Sequence, residues 1–208
     1  TMAKPQQTPD FVLFADWETT GATFGGDSSI DYQGISLGAV VARTSDWTEV
    51  GAFEQLIQFN ADKYKWTDEA ERIHGLSREH LAANGVPQEQ AAENFLEFLF
   101  KYFGAGKIMF GGHNEEFDRR FTNQLFNSVG IEFAIEKSGK FETNIPLHHV
   151  TINTAGIGFV NFGLFKSDLL FTAVGVPERG IHRAIDDARA ALQVVQVSNL
   201  AVKAGLSG

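Results

Sequence analysis

The stretch FADWETTG places two carboxylates, Asp16 and Glu18, two residues apart at the end of an apolar run. Alternate side chains of a β-strand point to the same face, so the two carboxylates would lie side by side. Two like charges this close are unfavourable unless a cation lies between them. Hard divalent cations such as Mg²⁺ take carboxylate oxygens as ligands. The pair therefore predicts either a metal site or a strand end whose acids face solvent, and further acids are needed to distinguish these.

A second cluster follows a pair of glycines in GGHNEEFDRRF. Asp118 lies four residues after Asn114, so both are predicted to share one face of a helix that starts where a strand ends. Glu115 and Glu116 are interpreted as first-turn acids that complement the helix dipole. The ends of strands are where sites in α/β proteins are usually built.

The third cluster is IHRAIDDARAAL, which contains His182 and Asp187. Residues five apart on an ideal helix differ by roughly 140° in direction. His182 and Asp187 can therefore converge only if His182 lies in the loop before the helix, which Gly180 makes plausible. Taken alone, the histidine and the aspartate could equally be structural.

The elements that position these clusters follow from the hydrophobic pattern. Buried strands are predicted for FVLFADW, ISLGAVVAR, VGAFEQLIQFN and KIMFGG, and the stretch ATFGGDSSIDYQG is predicted to be a loop facing the substrate. Helices are predicted within TDEAERIHGLSREHL, where Gly75 separates two short ones, and in PQEQAAENFLEFLFKYFG, NEEFDRRFTNQLFNSVG, LFKSDLLFTAVGV and HRAIDDARAALQVVQVSNLAVKAG. The region from about Ile131 to Gly163 shows no regular pattern. These elements predict an α/β sheet covered by helices.

Composition limits the class of protein further. The chain has 208 residues, 43% of them hydrophobic and 21% charged, as in one globular domain. We expect a single domain over residues 1–208, with 1–9 as a flexible N-terminus. The absence of cysteine excludes disulfides and thiolate-bound zinc. The formal net charge of -9 has no basic block to offset it, so extended binding to duplex nucleic acid is not expected.

Membrane and export signals are not evident in the sequence. No apolar run approaches the roughly 20 residues that cross a bilayer, and the segment TMAKPQQTPD lacks the apolar core of a signal peptide. We therefore expect a cytoplasmic protein without a membrane partner.

The order of the three clusters resembles that of the DnaQ-like, or DEDDh, 3′-to-5′ exonuclease family. DWETTG resembles its first motif, HNEEFD its second and HRAIDDA its third, and IHGLSREHL is similar to a segment that members carry after the third strand. The resemblance runs from about Phe11 to Leu200. One departure is TINTAG, where many members have an aspartate and this chain has Asn153.

The resemblance implies a fold, a cofactor and a set of roles. The fold is ribonuclease H-like, a mixed β-sheet flanked by α-helices. Asp16, Glu18, Asp118 and Asp187 would hold two divalent cations, Mg²⁺ with Mn²⁺ able to substitute, and His182 would be the general base. The chemistry agrees, because two cations about 4 Å apart can activate a water and stabilise the leaving oxygen of a phosphodiester. Histidine suits the base because its ordinary pKa lies near neutrality.

The reaction implied is release of nucleoside monophosphates from the 3′ ends of single-stranded DNA or RNA. Thr19, Thr20 and Asn114 are the expected substrate contacts, with the backbone around the two threonines holding the terminal sugar. Alternatives within the family are an oligoribonuclease-like or RNA-trimming enzyme. A catalytically silent nucleic-acid-binding scaffold is the alternative from another class. The sequence leaves open whether the chain forms a homodimer or joins a polymerase.

Overall fold

A mixed β-sheet is the centre of the computed structural model, which describes residues 8–135, 144–178 and 180–206. Residues 1–7 of the predicted flexible N-terminus lie outside these ranges. The strands are β1 (Phe11–Thr19), β2 (Gly34–Arg43), β3 (Thr48–Leu56), β4 (Met109–Gly112), β5 (Glu132–Ile135), β6 (Asn144–Leu147) and β7 (Ile152–Asn153). The helices are α1 (Ser28–Asp31), α2 (Asp68–His74), α3 (Arg78–Asn84), α4 (Gln88–Phe103), α5 (Glu115–Asn127), α6 (Thr154–Phe162), α7 (Ser167–Ala173) and α8 (Ala184–Leu206).

The main sheet has the strand order β3-β2-β1-β4-β7. Strand β2 is antiparallel to both β1 and β3, whereas β4 runs parallel to β1 and β7 runs parallel to β4. Strands β5 and β6 form a separate parallel pair. The carboxyl ends of β1, β4 and β7 therefore meet at one edge of the sheet.

The two faces of the sheet carry separate hydrophobic cores, because side chains alternate along each strand. Odd-numbered residues of β1 and β2, such as Leu13 and Leu37, pack with α4 and α5. Even-numbered residues, such as Val12 and Val40, pack with α8. Burial on both faces explains the continuous apolar run at the start of β1. Even numbering also places Asp16 and Glu18 on the face that α8 covers.

The structure corrects the region from Ile131 to Gly163, which the sequence left without regular elements. It contains β5, β6, β7 and α6 in its described parts, so the sheet has one more strand than expected. Asn153, where the sequence departs from the motif that it resembles, is the N-cap of α6, and its side chain accepts a hydrogen bond from Ala155 N at 2.9 Å. The predicted loop after β1 contains the single-turn helix α1.

Two short helices confirm the predicted helix signals after β3. Thr67 caps α2 by accepting a hydrogen bond from Ala70 N, and Gly75 ends it in the left-handed conformation. Helix α3 follows from Arg78. Within the described ranges, no helix is both long enough and apolar enough to cross a membrane.

Candidate active site

The end of β1 carries a compact group of carboxylates. Asp16, Glu18 and Asp187 each contribute an oxygen, and these oxygens lie within 4.8 Å of one another. Glu18 and Asp187 are buried, and Asp16 is partly exposed. Carboxylates this close and this shielded from water repel one another unless a cation lies among them. The donor set is therefore the kind that a hard divalent cation takes, rather than a strand end facing solvent.

Asp187 and His182 reach this group from the start of α8. Asp187 lies in the first turn of the helix, and its N–H donates to Arg183 O at 3.0 Å. His182 lies in the loop before the helix, as their convergence requires, and its Nδ1 lies 3.1 Å from Asp187 Oδ2. The backbone N–H of His182 donates to Ile73 O at 3.2 Å, which connects this loop to the end of α2.

Asp118 approaches from the opposite face of the sheet and lies outside the compact group. Its side chain on α5 is 3% exposed, and Oδ1 accepts a hydrogen bond from Trp17 N at 3.0 Å. Burial raises the pKa of the Asp118 carboxyl well above its usual range, and nearby Glu18 and Glu115 raise it further. The Trp17 N–H acts in the other direction because it stabilises the carboxylate. The Trp17 indole Nε1 also donates to Thr122 Oγ1 at 3.0 Å, fixing α5 to β1.

Glu115 lies in the first turn of α5, as predicted, but it is also buried. Only 9% of it is exposed, and its Oε1 accepts a hydrogen bond from Thr151 Oγ1 at 2.7 Å. The spacing could have revealed this, because residues three apart share a helix face and Asp118 faces inward. Glu116 is a first-turn acid as predicted, is exposed and pairs with Arg120.

The four-residue spacing predicts that Asn114 shares a helical face with Asp118, and the structure shows that it does not. It is the N-cap residue of α5, exposed and in the left-handed conformation with φ 62° and ψ 50°, and its side chain makes no capping hydrogen bond. Asn114 lines a cavity of about 450 Å³ between α5 and the loop 22–28. Phe24, which is fully exposed, and Phe117 line the same cavity.

The two threonines of the first motif occupy different positions. Thr19 lines a second cavity of about 280 Å³ beside Glu18, and its hydroxyl donates to Gly21 O at 3.0 Å. Thr20 is fully buried, its N–H donates to Gln33 O at 2.9 Å, and its hydroxyl accepts from Gln33 N at 3.0 Å. Thr20 therefore supports the wall behind the cavity, because its backbone N–H and its hydroxyl are both hydrogen-bonded to Gln33.

His74 is a residue of this cavity that sequence reasoning missed. It is the last residue of α2, 4% exposed, and its Nδ1 accepts a hydrogen bond from Leu76 N at 3.0 Å. Burial lowers the pKa of His74, and the Thr19 backbone and the Glu71 carboxylate oppose this only in part. The ring therefore forms part of the cavity wall, together with Glu18 and Thr19. The sequence signal that could have identified His74 was its position in IHG, directly before the glycine that ends the helix.

Comparisons with known proteins agree with this geometry. Residues 13–195 match the exonuclease family model RNase_T, which covers most of the chain. No curated protein matches the sequence.

Solved structures share the fold over nearly the whole chain. The zinc-bound complex of E. coli exonuclease I with single-stranded DNA has a TM-score of 0.72 at 17% identity, covering 93% of this chain and 41% of that one. The nuclease domain of 3′hExo, a DEDDh family member bound to rAMP, has a TM-score of 0.67 at 14% identity and covers 92% of both chains. A 3′-exonuclease that recognises the histone mRNA stem-loop has a TM-score of 0.69 at 12% identity, covering 94% of this chain and 84% of that one.

At these identities the similarity concerns the fold, and it confirms the expected ribonuclease H-like sheet flanked by helices. This chain spans about two fifths of the length of E. coli exonuclease I and most of the 3′hExo nuclease domain.

Proposed function

The chain belongs to the exonuclease family, and from this premise we propose that it removes nucleoside monophosphates one at a time from the 3′ ends of single-stranded nucleic acid. The observation that carries the proposal is the convergence of three carboxylates from the first strand and the last helix beside His182. One of the three, Glu18, also borders a cavity of about 280 Å³ that would take the terminal nucleoside.

The residues at the end of β1 fit divalent cations. Asp16, Glu18 and Asp187 would hold the first, and Asp118, buried on the other side of Trp17, would contribute to holding a second. Mg²⁺ is the proposed cation, with Mn²⁺ as a substitute, because both prefer carboxylate oxygens. When bound, the pair would supply positive charge for the attacking and leaving oxygens of the phosphodiester.

His182 is proposed to take the proton from the attacking water. The contact of its Nδ1 with Asp187 orients the imidazole, so Nε2 is the nitrogen that accepts the proton. Nε2 lies 3.9 Å from Oδ1 of Asp168, whose side chain is 77% exposed, so the accepted proton has a route to solvent. This is the role of a general base.

The terminal nucleoside is proposed to lie in the cavity that Thr19, His74 and Ile73 border. Ile73 is 47% exposed there, so its side chain offers an apolar surface to a base. Asn114, at the edge of the larger cavity, is proposed to contact the strand on the other side of the loop 22–28. Thr20 acts only through the wall that it supports.

The proposal of single-stranded substrates draws on the related structures and on charge. E. coli exonuclease I binds single-stranded DNA in its complexes, and 3′hExo binds rAMP. The net charge of -9 disfavours extended binding to a duplex. An RNA-trimming or oligoribonuclease-like reaction would use the same residues, and contact with one 2′-hydroxyl would distinguish them.

A single experiment tests the reaction, its direction and the sugar preference. Single-stranded DNA and RNA carrying a 5′ label are incubated with the protein and Mg²⁺, and samples are resolved by length over time. We expect a ladder of labelled products that shorten by one nucleotide, and no products in EDTA. Immediate release of the label as a mononucleotide would contradict the direction, and internal fragments would contradict an exonuclease. Binding without shortening would favour the scaffold alternative.

A further inference from the structure

The proposed reaction needs Asp187 on the last helix to lie against Asp16 on the first strand. A glycine of β2 lies next to Asp16 in the sheet and directly under the start of that helix. We propose that Gly38 is a positioning residue for the active site, because its missing side chain leaves the space in which the first turn of α8 rests. This inference rests on the proposed function and deepens it, since it identifies what holds the carboxylates together.

Gly38 is the middle residue of a row that crosses three strands. Asp16 pairs with Gly38, and Gly38 pairs with Glu54, so all three lie on the face of the sheet that α8 covers. At one end of the row, Arg183 Nη2 donates to Glu54 Oε1 at 3.0 Å. At the other end, Asp187 joins the carboxylate group of Asp16. The start of α8 therefore lies along the row.

Close approach, rather than backbone conformation, is the reason for a glycine here. A methyl group on Gly38 would lie 2.0 Å from Ile185 N and 2.2 Å from Ala184 C. Both are backbone atoms, which cannot rotate aside as a side chain can. Because non-bonded carbon atoms sit about 3.5 Å apart or more, the start of α8 would have to move outward by more than about 1 Å.

Such a movement affects the metal ligands more than the substrate cavity. Oxygen ligands lie about 2.0–2.1 Å from Mg²⁺, so a shift of about 1 Å removes Asp187 from the group. Misplacing a catalytic group by about 1 Å can cost about a hundredfold in rate. The cavity beside Thr19 is lined by β1, the loop after it and α2, with none of its described lining residues on α8. Metal affinity and kcat should therefore fall while KM changes little.

The test compares Gly38→Ala with a matched glycine elsewhere in the sheet. Gly51 pairs with Val41 at the other end of β2, and a methyl group there would meet the Tyr102 side chain, whose Oη would lie 2.2 Å away. For Gly38→Ala we expect Mn²⁺ affinity, measured by calorimetry, to fall at least about tenfold and kcat about a hundredfold, with KM within about threefold of wild type. Gly51→Ala should keep the wild-type Mn²⁺ affinity even if it lowers the melting temperature.

Wild-type Mn²⁺ affinity in folded Gly38→Ala would overturn the proposal. If that variant does not fold, Ala184→Val tests the same contact from the helix side, because Ala184 is 1% exposed where α8 begins against β2. The same loss of Mn²⁺ affinity is expected, and an unchanged affinity would again overturn the proposal. Failure of the proposed function is a different result: wild-type protein would bind Mn²⁺ yet leave nucleic acid strands intact.

Discussion

At the scale of single residues, we expect the charge on Asp187 to decide whether the carboxylate group can bind a cation. We predict that Asp187→Asn lowers the rate of hydrolysis by at least about a hundredfold and abolishes the rise in melting temperature that Mn²⁺ gives the wild type. Without metal, the variant should be at least as stable as the wild type, because one of three neighbouring like charges is gone. Calorimetry and thermal unfolding with and without EDTA measure both effects.

The adjacent acid provides the matched control. Asp186 lies in the same turn of α8 and contacts Arg183 at 3.8 Å, outside the carboxylate group. Asp186→Asn makes the same change in charge and should retain metal-dependent stabilisation and activity. If both variants behaved alike, the assignment of Asp187 as a ligand would be wrong.

His182 is predicted to affect the rate rather than the metal. His182→Ala should lower kcat by about a hundredfold or more, as expected for the loss of a general base, while Mn²⁺ affinity stays near that of wild type. A collapse of metal affinity in this variant would instead make His182 a ligand.

Sequence patterns located the carboxylates but not how each one is held. Two acids two apart in a strand must share a face, so Asp16 and Glu18 could be paired from spacing alone. The position of Asp118 depends on a hydrogen bond from the backbone N–H of Trp17, which is distant in the sequence. No local sequence pattern predicts such a tertiary contact. Gly38 was visible only as one glycine of a strand, because its role depends on a helix almost 150 residues later in the chain.

At the scale of elements, α2 reaches the site through His74, its last residue, whose protonated form is disfavoured by burial. Since burial lowers the pKa of His74 from 6.5, the unfolded chain takes up a proton at a higher pH than the folded protein does. The free energy of unfolding should therefore decrease as pH falls below about 6.5, until the pKa of the folded state is passed. His74→Asn removes the titrating ring and offers an oxygen to Leu76 N.

The measurement is urea unfolding of both proteins in EDTA at several values of pH between 7 and 5. The variant should lose less stability over this range than the wild type does. Equal losses would mean that His74 does not contribute to the acid sensitivity of the fold.

The long elements could be predicted from the sequence, and the short strands after α5 could not. Strand β1 is a continuous apolar run, and helices α4, α5 and α8 combine a hydrophobic pattern with sufficient length. Strand β7 has two residues, and β5 and β6 have four each, too few to display any period. Their strand conformation comes from pairing with distant segments, such as Gly111 of β4 with Ile152. Tertiary contacts therefore decided the region that the sequence left irregular.

At the scale of the whole molecule, charge limits how much of a substrate the protein can grip. Arginines 43, 120, 183 and 189 each pair with acidic side chains, and the net charge is -9. Each phosphate neutralised by a cationic side chain adds roughly 0.7 to the log-log slope of affinity against salt for single strands. We predict a shallow slope, with strands of about four nucleotides cut nearly as well as strands several times longer.

Blunt duplex ends should be poor substrates, because the terminal bases must first unpair at a cost of a few kcal/mol. Rates on single strands of graded length and on a blunt duplex, each at several salt concentrations, measure these expectations together. Affinity that rose steadily with strand length and fell steeply with salt would reveal a binding track for the strand that this charge distribution does not suggest.

The order of the site residues along the chain has a consequence for biosynthesis. Asp16 and Glu18 are translated early, whereas His182 and Asp187 belong to the start of α8, which packs on β1 and β2 only after residues 184–206 exist. A nascent chain on the ribosome therefore has two of the carboxylates but neither Asp187 nor His182. The carboxylate group is complete only after synthesis has passed the last helix.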